Sequence, residues 1–277
     1  MRVIETVAGM HEARRALAGS VGLVPTMGFL HEGHLSLVRA CRAENERTVV
    51  SVFVNPTQFG PSEDFATYPR DVERDLGLLR AEGVDLVYAP TVAEMYPAGY
   101  STYVEVGGVT ERLEGAARPG HFRGVATVVA KLFAAVQPSR AYFGQKDAQQ
   151  CTVVRKMVAD LGFPVEIRVM PTVREPDGLA LSSRNVYLGP EERKAALSLS
   201  RGLFAARDGW AAGERDAERL RQIVRARVEA EPLVRLEYVS VADYATLEEA
   251  TTVERPALVS LAARVGRTRL IDNVVLG

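Results

Sequence analysis

Cysteine, lysine and histidine are scarce in this chain of 277 residues, which has 2 cysteines, 4 histidines and lysines only at positions 131, 146, 156 and 194. Two cysteines far apart in the sequence do not make a disulfide framework, so we expect a reducing compartment. No apolar run approaches the length of a membrane-spanning helix, and residues 1–22 lack a signal-peptide pattern. These absences predict a cytoplasmic protein with no membrane partner.

An excess of charge of either sign is also missing. The formal net charge is −1, which gives no basic surface for nucleic acid. Charged residues make up 25% and hydrophobic residues 47% of the chain, values typical of a globular protein that buries a substantial core. The composition therefore argues against a nucleic-acid-binding protein.

Short β-rich runs alternate with helical patterns over the first 175 residues. Strands separated by helices predict βαβ units and a mainly parallel sheet, in which ligands bind at the C-terminal ends of strands. The β-rich runs are Val21–Val24, Thr48–Asn55, Asp85–Ala89, Ala141–Gly144 and Val165–Met170. The helical patterns are Leu35–Ala43, Asp71–Glu82, Val125–Val136 and Ala148–Leu161.

The pattern changes after Pro176-Asp177-Gly178. Two helical stretches follow, 189–207 and 215–229, and then three strand-like runs at 236–241, 257–265 and 269–275. The predicted fold class is therefore α/β, with a Rossmann-like, mainly parallel sheet domain over residues 1–175. A smaller α+β domain with two helices and a small antiparallel sheet is expected over residues 176–277.

The most informative segment is Pro-Thr-Met-Gly-Phe-Leu-His-Glu-Gly-His, residues 25–34. An apolar run precedes it and a helical pattern follows, which predicts a strand, a glycine turn and the first turn of a helix. Unpaired backbone N–H groups and the helix dipole favour phosphate there. His31 and His34 share one face of the helix start, and Gly33 between them admits a ligand close to the backbone. This pattern favours a nucleotide site.

Two other interpretations of the paired histidines remain open from the residues alone. They can belong to a solvated helix start, or to a zinc site completed by ligands elsewhere. The other histidines and the cysteines show no recognisable ligand spacing; they are His11, His121, Cys41 and Cys151.

Three further segments carry polar groups suited to the same ligand. Lys146 in Phe143-Gly144-Gln145-Lys146-Asp147 stands at a second helix start and suits phosphate oxygens, although a surface pair with Asp147 is the plainer alternative. The loop 181–185 offers two hydroxyls and a guanidinium, and residues 118–124 form a basic segment that could close on phosphate. Pro56 stiffens the turn that bears Asn55 and Gln58.

The order of these motifs resembles the nucleotidyltransferase superfamily, and within it the pantoate–β-alanine ligase family, over nearly the whole chain. The resemblance rests on six segments: Pro-Thr-Met-Gly-x-Leu-His-x-Gly-His at 25–34, Val-Phe-Val-Asn-Pro-Thr-Gln-Phe at 52–59, Tyr-Pro-Arg at 68–70, Gly-His-Phe-Arg-Gly-Val at 120–125, Phe-Gly-Gln-Lys-Asp at 143–147 and Asp-Gly-Leu-Ala-Leu-Ser-Ser-Arg-Asn at 177–185.

The resemblance implies an ATP-dependent ligase that condenses pantoate with β-alanine to give pantothenate. Pantoate would attack the α-phosphorus of ATP, releasing pyrophosphate, and β-alanine would then displace AMP from pantoyl adenylate. It also implies Mg²⁺ with ATP, held mainly by phosphates and water, with no organic prosthetic group. Asp75 is a candidate carboxylate near that metal, and a homodimer is expected. The domain over 176–277 would act as a lid that excludes water from the adenylate.

The resemblance also assigns site residues. The catalytic residues would be His31, His34, Lys146 and Arg184. The ATP site would comprise Met27, Gly28, Phe29, Leu30, His31, Glu32, Gly33, His34, Gly144, Gln145, Lys146, Asp147, Val173, Leu181, Ser182, Ser183 and Arg184. The pantoate and β-alanine pocket would contain Asn55, Gln58 and Gln150.

Two positions depart from the family pattern: Gln145 stands where Glu is usual, and Ala148 where an aromatic residue is common. Neither change removes a reacting group. The alternatives are another adenylyl- or cytidylyltransferase, a fragment of a class I aminoacyl-tRNA synthetase, and a nucleotide-binding protein without catalysis. The last would be expected to lack His34, Lys146 or Arg184, and all three are present.

Overall fold

The computed structural model describes residues 1–61, 63–254 and 256–277. It divides into two units, of which the first comprises Met1–Gly144 with Gln149–Pro171. The second comprises Gln145–Ala148 with Thr172–Gly277. The short segment Gln145–Ala148 is therefore grouped with the C-terminal part of the chain, although its sequence neighbours on both sides belong to the first unit.

The first unit is built on a six-stranded parallel sheet. Its strands are Arg2–Ile4 (β1), Val21–Thr26 (β2), Arg47–Val52 (β3), Leu86–Tyr88 (β4), Arg140–Gly144 (β5) and Glu166–Met170 (β6). Its helices are Val7–Ala16 (α1), Glu32–Glu44 (α2), Val72–Ala81 (α3), Val92–Met95 (α4), Glu114–Ala117 (α5), His121–Val136 (α6) and Ala148–Leu161 (α7). The strands follow the order β1-β4-β3-β2-β5-β6.

The strand order reverses at β2, which lies between β3 and β5. In such sheets the crevice at the reversal, beyond the carboxyl ends of the strands, is where ligands bind. Thr26 is in register with Val52, so the chain leaves β2 and β3 at the same level of the sheet. The glycine turn at Met27 and the turn at Asn55 therefore begin side by side.

The second unit contains the helices Pro190–Ala195 (α8), Leu197–Ala211 (α9) and Ala217–Val228 (α10), and the strands Val234–Asp243 (β7), Ala257–Val265 (β8) and Thr268–Leu276 (β9). The strands form an antiparallel sheet in the order β7-β8-β9. Leu199 and Leu203 of α9 and Val224 of α10 are buried in one core with Leu261 of β8. This core lets the unit pack its helices against the sheet.

The predicted fold class is confirmed, with differences in detail. The region expected as one helix over 189–207 forms two helices, α8 and α9, divided at Ala196. Strand β3 ends at Val52, short of the predicted Asn55, because Asn55 turns inward and its side chain caps a short 3-10 helix, Pro56–Gln58. Strand β1 and helix α1 have no counterpart in the sequence prediction.

Candidate active site

The turn after β2 has a left-handed backbone. Gly28 has a φ of +81° and Phe29 a φ of +50°. Glycine adopts such angles at no steric cost, whereas a phenylalanine there needs support from its surroundings. The Gly28 N–H donates to Thr26 Oγ1 at 3.2 Å, so the last residue of the strand begins to shape the turn.

Asp75, in the first turn of α3, supplies the remaining support. Its Oδ2 accepts from the Phe29 N–H at 2.6 Å and its Oδ1 from the Leu30 N–H at 2.7 Å. The residue is only 1% exposed, and burial raises the pKa of its carboxyl against the opposing effect of the two backbone hydrogen bonds. Both oxygens thus hold the turn, which gives Asp75 an anchoring role in the structure. Its place near the metal, suggested by the sequence, stays a prediction.

The two histidines form the cap of α2. His31 is the N-cap residue, and its Nδ1 accepts from the Gly33 N–H at 3.1 Å. His34 Nδ1 in turn accepts from the His31 N–H at 3.3 Å, and the two rings lie 4.0 Å apart between centroids. Because each Nδ1 acts as an acceptor, the neutral tautomer of each ring carries its hydrogen on Nε2. Both rings thus have an N–H suited to an anionic ligand.

The residues beside the histidines contribute in different ways. Leu30 is buried and packs into the core beneath the helix start. The Glu32 carboxylate is exposed and pairs with Arg39, about two turns further along the same face of α2. Arg74 stacks on the Phe29 ring, with 5.4 Å from Cζ to the centroid.

The turn after β3 is organised around Asn55, which is 1% exposed. Its Nδ2 donates to Gln58 Oε1 at 3.0 Å and to the Gly124 carbonyl at 3.1 Å. Its Oδ1 accepts from the Tyr96 hydroxyl at 2.8 Å and from Thr57 Oγ1 at 2.9 Å. The Asn55 amide is therefore engaged by protein groups, and one of its bonds orients the Gln58 side chain. Its predicted contact with substrate stays a prediction.

A second cluster holds the Gln58 backbone. His121 Nδ1 lies 2.8 Å from the Gln58 carbonyl oxygen, and Arg118 Nη1 lies 3.1 Å from His121 Nε2. A carbonyl can only accept, so Nδ1 carries the hydrogen and Nε2 accepts from Arg118. Arg118 also forms two hydrogen bonds of 2.7 Å with the Glu63 carboxylate.

The basic segment 118–124 therefore supports the Gln58 turn instead of forming the phosphate-closing loop expected from the sequence. Arg118 is engaged with Glu63, and the residues from His121 onward are helix α6. Gly124 is essential to this packing, because a Cβ there would lie 2.3 Å from the Thr57 carbonyl oxygen. The sequence showed the motif but not its hydrogen-bond partner, because the Gln58 carbonyl lies 63 positions from His121 in the chain.

The protonation of His121 predicts a pH dependence of stability. Burial, reinforced by the Arg118 charge, lowers its pKa from 6.5 to about 4. Between these values the unfolded chain binds a proton that the folded chain does not, so acidification from pH 6.5 to pH 4 destabilises the fold. This group alone should contribute a loss of about 3 kcal/mol.

The measurement is the free energy of unfolding in urea from about pH 4 to about pH 7. His121→Gln should flatten the slope relative to the unchanged chain, whereas His11→Gln, on helix α1, is the matched control and should keep it. An identical slope in the His121 variant would contradict this account.

In the second unit, Lys146 lies in the 3-10 turn Gln145–Asp147 that follows Gly144 at the end of β5. Its Nζ is 3.6 Å from Asp147 Oδ1, and its side chain is 21% exposed. The pair with Asp147 is thus present, but the lysine is more sheltered than a surface ion pair. An exposed partner at this distance adds little stability, which leaves the ammonium available to a stronger anion.

The same unit brings Val173 and the Ser-Ser-Arg loop together. The Leu181 N–H donates to the Val173 carbonyl at 3.0 Å. Ser182 caps the 3-10 helix Ser183–Tyr187, its Oγ accepting from the Arg184 N–H at 3.3 Å. Ser183 is buried. The sequence predicted this grouping only through the resemblance, because the two segments are separated by a loop.

The two neighbouring glutamines of α7 have different surroundings. Gln149 is buried, and its amide bonds to the backbone of Val109, Arg112 and Glu114. It thus stabilises the loop before α5. Gln150, the residue assigned to the substrate pocket, is half-buried.

The described part of the chain holds no group of three or more His, Cys, Asp or Glu side chains that could bind a metal ion. Among the described residues no helix is both long and apolar enough to span a membrane.

These features together define a class of protein. A parallel sheet with its strand reversal at β2, a left-handed glycine turn and a histidine-capped helix describe an α/β protein suited to binding a nucleotide. The chain matches the family described as pantoate-beta-alanine ligase over residues 2–275, and it belongs to that family. The resemblance found in the sequence is thereby confirmed.

Similar proteins agree over their full lengths. The pantothenate synthetase of Roseiflexus sp. (strain RS-1) is 64% identical over 276 residues, covering 100% of this chain and 99% of the relative. The crystal structure of pantothenate synthetase from Thermus thermophilus superposes with a TM-score of 0.95 at 53% identity, covering 99% of each chain. A pantoate-beta-alanine ligase from Francisella tularensis, complexed with beta-gamma ATP and beta-alanine, gives a TM-score of 0.83 at 33% identity and covers 99% of this chain and 97% of its own.

Proposed function

We propose that this chain makes pantothenate from pantoate, β-alanine and ATP in two steps at one site. A pantoate carboxylate oxygen attacks the α-phosphorus of ATP and pyrophosphate leaves, which forms pantoyl adenylate. The β-alanine nitrogen then attacks the acyl carbon, AMP leaves and the amine loses a proton. The observation that carries the proposal is the histidine-capped start of α2 beside the Gln58 turn at the reversal point of the sheet.

His34 is proposed as a donor to the phosphoryl oxygens during the first step. Its Nδ1 is held by the His31 backbone, so Nε2–H is the group that can meet charge developing on phosphorus-bound oxygen. His31 is proposed to share this role, since its Nδ1 is held in the same manner. The backbone of Met27, Gly28, Phe29 and Leu30 would approach the nucleotide.

Lys146 and Arg184 are proposed as the cations that neutralise the phosphates. Lys146 follows Gly144 in a turn flanked by Gln145 and Asp147. Arg184 follows Ser182 and Ser183 in the loop joined to Val173 by the Leu181 hydrogen bond. Both cations belong to the second unit, which supports its proposed role as a lid over the nucleotide.

Gln58 and Gln150 are proposed to hold pantoate, with Gln58 also near β-alanine. Asn55 contributes by fixing Gln58 Oε1, which leaves the Gln58 amide nitrogen against the Met27 sulfur at 3.2 Å, a weak contact that a substrate oxygen can replace.

Gln58→Ala should therefore raise the KM for pantoate by about tenfold or more, the scale for losing one or two buried hydrogen bonds, with a smaller effect on the KM for ATP. Initial-rate kinetics with each substrate varied in turn measure both constants. Gln149→Ala is the control, because that amide serves the fold. Equal changes in the two constants for Gln58→Ala would argue against a pantoate contact.

The proposal includes Mg²⁺ bound with ATP through phosphates and water, a homodimer, and a cytoplasmic location. The complex of the Francisella relative with beta-gamma ATP and beta-alanine supports the nucleotide chemistry. The buried cysteines Cys41 and Cys151, neither in a disulfide, support a reducing compartment. Light scattering during size exclusion tests the dimer, since it gives either 30.2 kDa or twice that mass.

The decisive experiment follows pyrophosphate release from ATP and Mg²⁺ with pantoate, before and after β-alanine is added. With pantoate alone, we expect the release of about one pyrophosphate per enzyme molecule. Once β-alanine is added, pyrophosphate and AMP should be released continuously. No release from folded protein that still binds ATP would instead favour another acid substrate.

A further inference from the structure

We infer that Asn273, on strand β9, is a positioning residue that holds Lys146 in place for phosphate. The inference rests on the role proposed above for Lys146. Asn273 lies 127 positions from that lysine in the sequence, and no motif marks it. Its amide nevertheless bonds directly to the backbone of the lysine-bearing turn.

Both polar atoms of the Asn273 side chain form hydrogen bonds with this turn. Its Nδ2 donates to the carbonyls of Gln145 at 3.0 Å and Lys146 at 2.9 Å. Its Oδ1 accepts from Gln145 Nε2 at 3.2 Å. The residue is 4% exposed, so these bonds are made with little competition from water. Two carbonyls of one tight turn are thereby held by a single amide group.

The Asn273 backbone is itself held by a buried ion pair. Arg174 donates to both oxygens of Asp272 at 2.7 and 2.8 Å, and to the Asn273 carbonyl at 3.1 Å. Asp272 Oδ1 also accepts from the Asn273 N–H at 2.7 Å. Bidentate pairing of this kind restricts orientation as well as distance. The strand thus presents the Asn273 amide from a rigid base.

Tyr244 completes the arrangement from the end of strand β7. Its hydroxyl donates to Gln145 Oε1 at 3.0 Å, which orients the Gln145 amide so that its nitrogen faces Asn273. A glutamate at 145 would set a carboxylate oxygen against Asn273 Oδ1. The Gln145 side chain of this protein therefore belongs to the network that supports the lysine.

This network matters because lysine is a flexible point charge on a four-carbon stem. Fixing its backbone carbonyl and that of its neighbour sets where the stem begins. A misplacement of about 1 Å in a reacting group can cost about 10²-fold in rate. The pairing of β8 with β9 is made by backbone hydrogen bonds and does not depend on the Asn273 side chain. Stability of the sheet alone would therefore not require Asn273 to donate both amide hydrogens to the turn.

The test is a double-mutant cycle on turnover, with Asn273→Ala made in the unchanged protein and in Lys146→Ala. We expect Asn273→Ala alone to lower kcat by about tenfold to hundredfold, with less than about a threefold change in the KM for pantoate. On the Lys146→Ala background the same change should lower kcat by less than about twofold, because the residue it positions is gone. Equal losses in both backgrounds would show a general structural effect and overturn the inference.

Ser260→Ala is the matched control, since Ser260 faces Asn273 in the β8–β9 register and its Oγ has no hydrogen-bond partner among the described residues. It should leave kcat unchanged. If Asn273→Ala does not fold, Tyr244→Phe takes its place in the cycle. It should lower kcat by about threefold in the unchanged protein, and this loss should also vanish on the Lys146→Ala background.

The outcomes separate the two proposals. If the unchanged protein releases no pyrophosphate, the proposed function fails. If Lys146→Ala is as fast as the unchanged protein, the lysine's role and this inference fail together. If both of those results are as expected but Asn273→Ala lowers kcat equally in the unchanged protein and in Lys146→Ala, only the inference about Asn273 fails.

Discussion

His34→Ala and Lys146→Ala each lower the turnover number for pantothenate by about 10²- to 10³-fold, the scale for removing one preorganised donor from a transition state. Both groups are proposed to meet negative charge that grows as the phosphorus–oxygen bonds exchange. His34 is held through Nδ1 by the backbone N–H of His31, the N-cap residue of α2, which leaves little reorganisation during the reaction.

Single-turnover measurement of pantoyl adenylate formation isolates the step concerned. His34→Ala also removes an acceptor for the His31 N–H and should lower stability by about 1 kcal/mol. His34→Asn keeps an acceptor at that place, so it should restore stability without restoring the rate. A His34→Asn enzyme with near-normal turnover would show that the imidazole Nε2–H does not act in catalysis.

For Lys146, Lys156→Ala is the control, because Lys156 is paired with Asp160 on the exposed side of α7. Normal turnover in Lys146→Ala would remove that lysine from the mechanism.

Asp75→Ala destabilises the protein by about 2–5 kcal/mol and weakens ATP binding at least about tenfold, because the substitution removes the acceptor of the buried Leu30 N–H and of the half-buried Phe29 N–H. Each unsatisfied buried donor costs about 1–3 kcal/mol. The left-handed turn at Gly28 then loses its anchor, and the backbone that would approach the nucleotide changes shape.

Urea unfolding and calorimetric ATP titration measure the two effects. Asp75→Asn keeps one acceptor and should show about half the loss of stability. Asp71→Ala removes the N-cap of the same helix and should cost about 1 kcal/mol without changing ATP affinity. If Asp75→Ala matched Asp71→Ala in both measurements, the anchoring role would be wrong.

Local pattern predicted the strand, turn and helix at 21–44 because each step there depends on neighbours in sequence. The apolar run predicts β2, the glycine predicts the turn, and the spacing of the histidines predicts that both lie on one face of α2. The same reasoning could not find the support for that turn. Asp75 lies 45 positions from Leu30, and an acidic residue in a first helical turn has an ordinary local explanation in the helix dipole.

The same limit applies to His121 and Asn273. The motif at 120–125 marked His121, but its partner is the Gln58 carbonyl, 63 positions away. Nothing in the sequence around Asn273 distinguishes it from any polar residue on an edge strand. Contacts between backbone carbonyls and distant side chains leave no periodicity, so a single sequence does not reveal them.

The placement of Gln145–Ala148 has a consequence for attempts to cut this protein into parts. The polypeptide passes between the two units at 144–145, at 148–149 and at 171–172, so no single cleavage separates them. A gene fragment ending at Pro171 would encode Lys146 but not the Asn273 amide that its backbone bonds to. A fragment starting at Thr172 would encode the amide without the lysine. The two residues would come together again only in a non-covalent complex of both pieces.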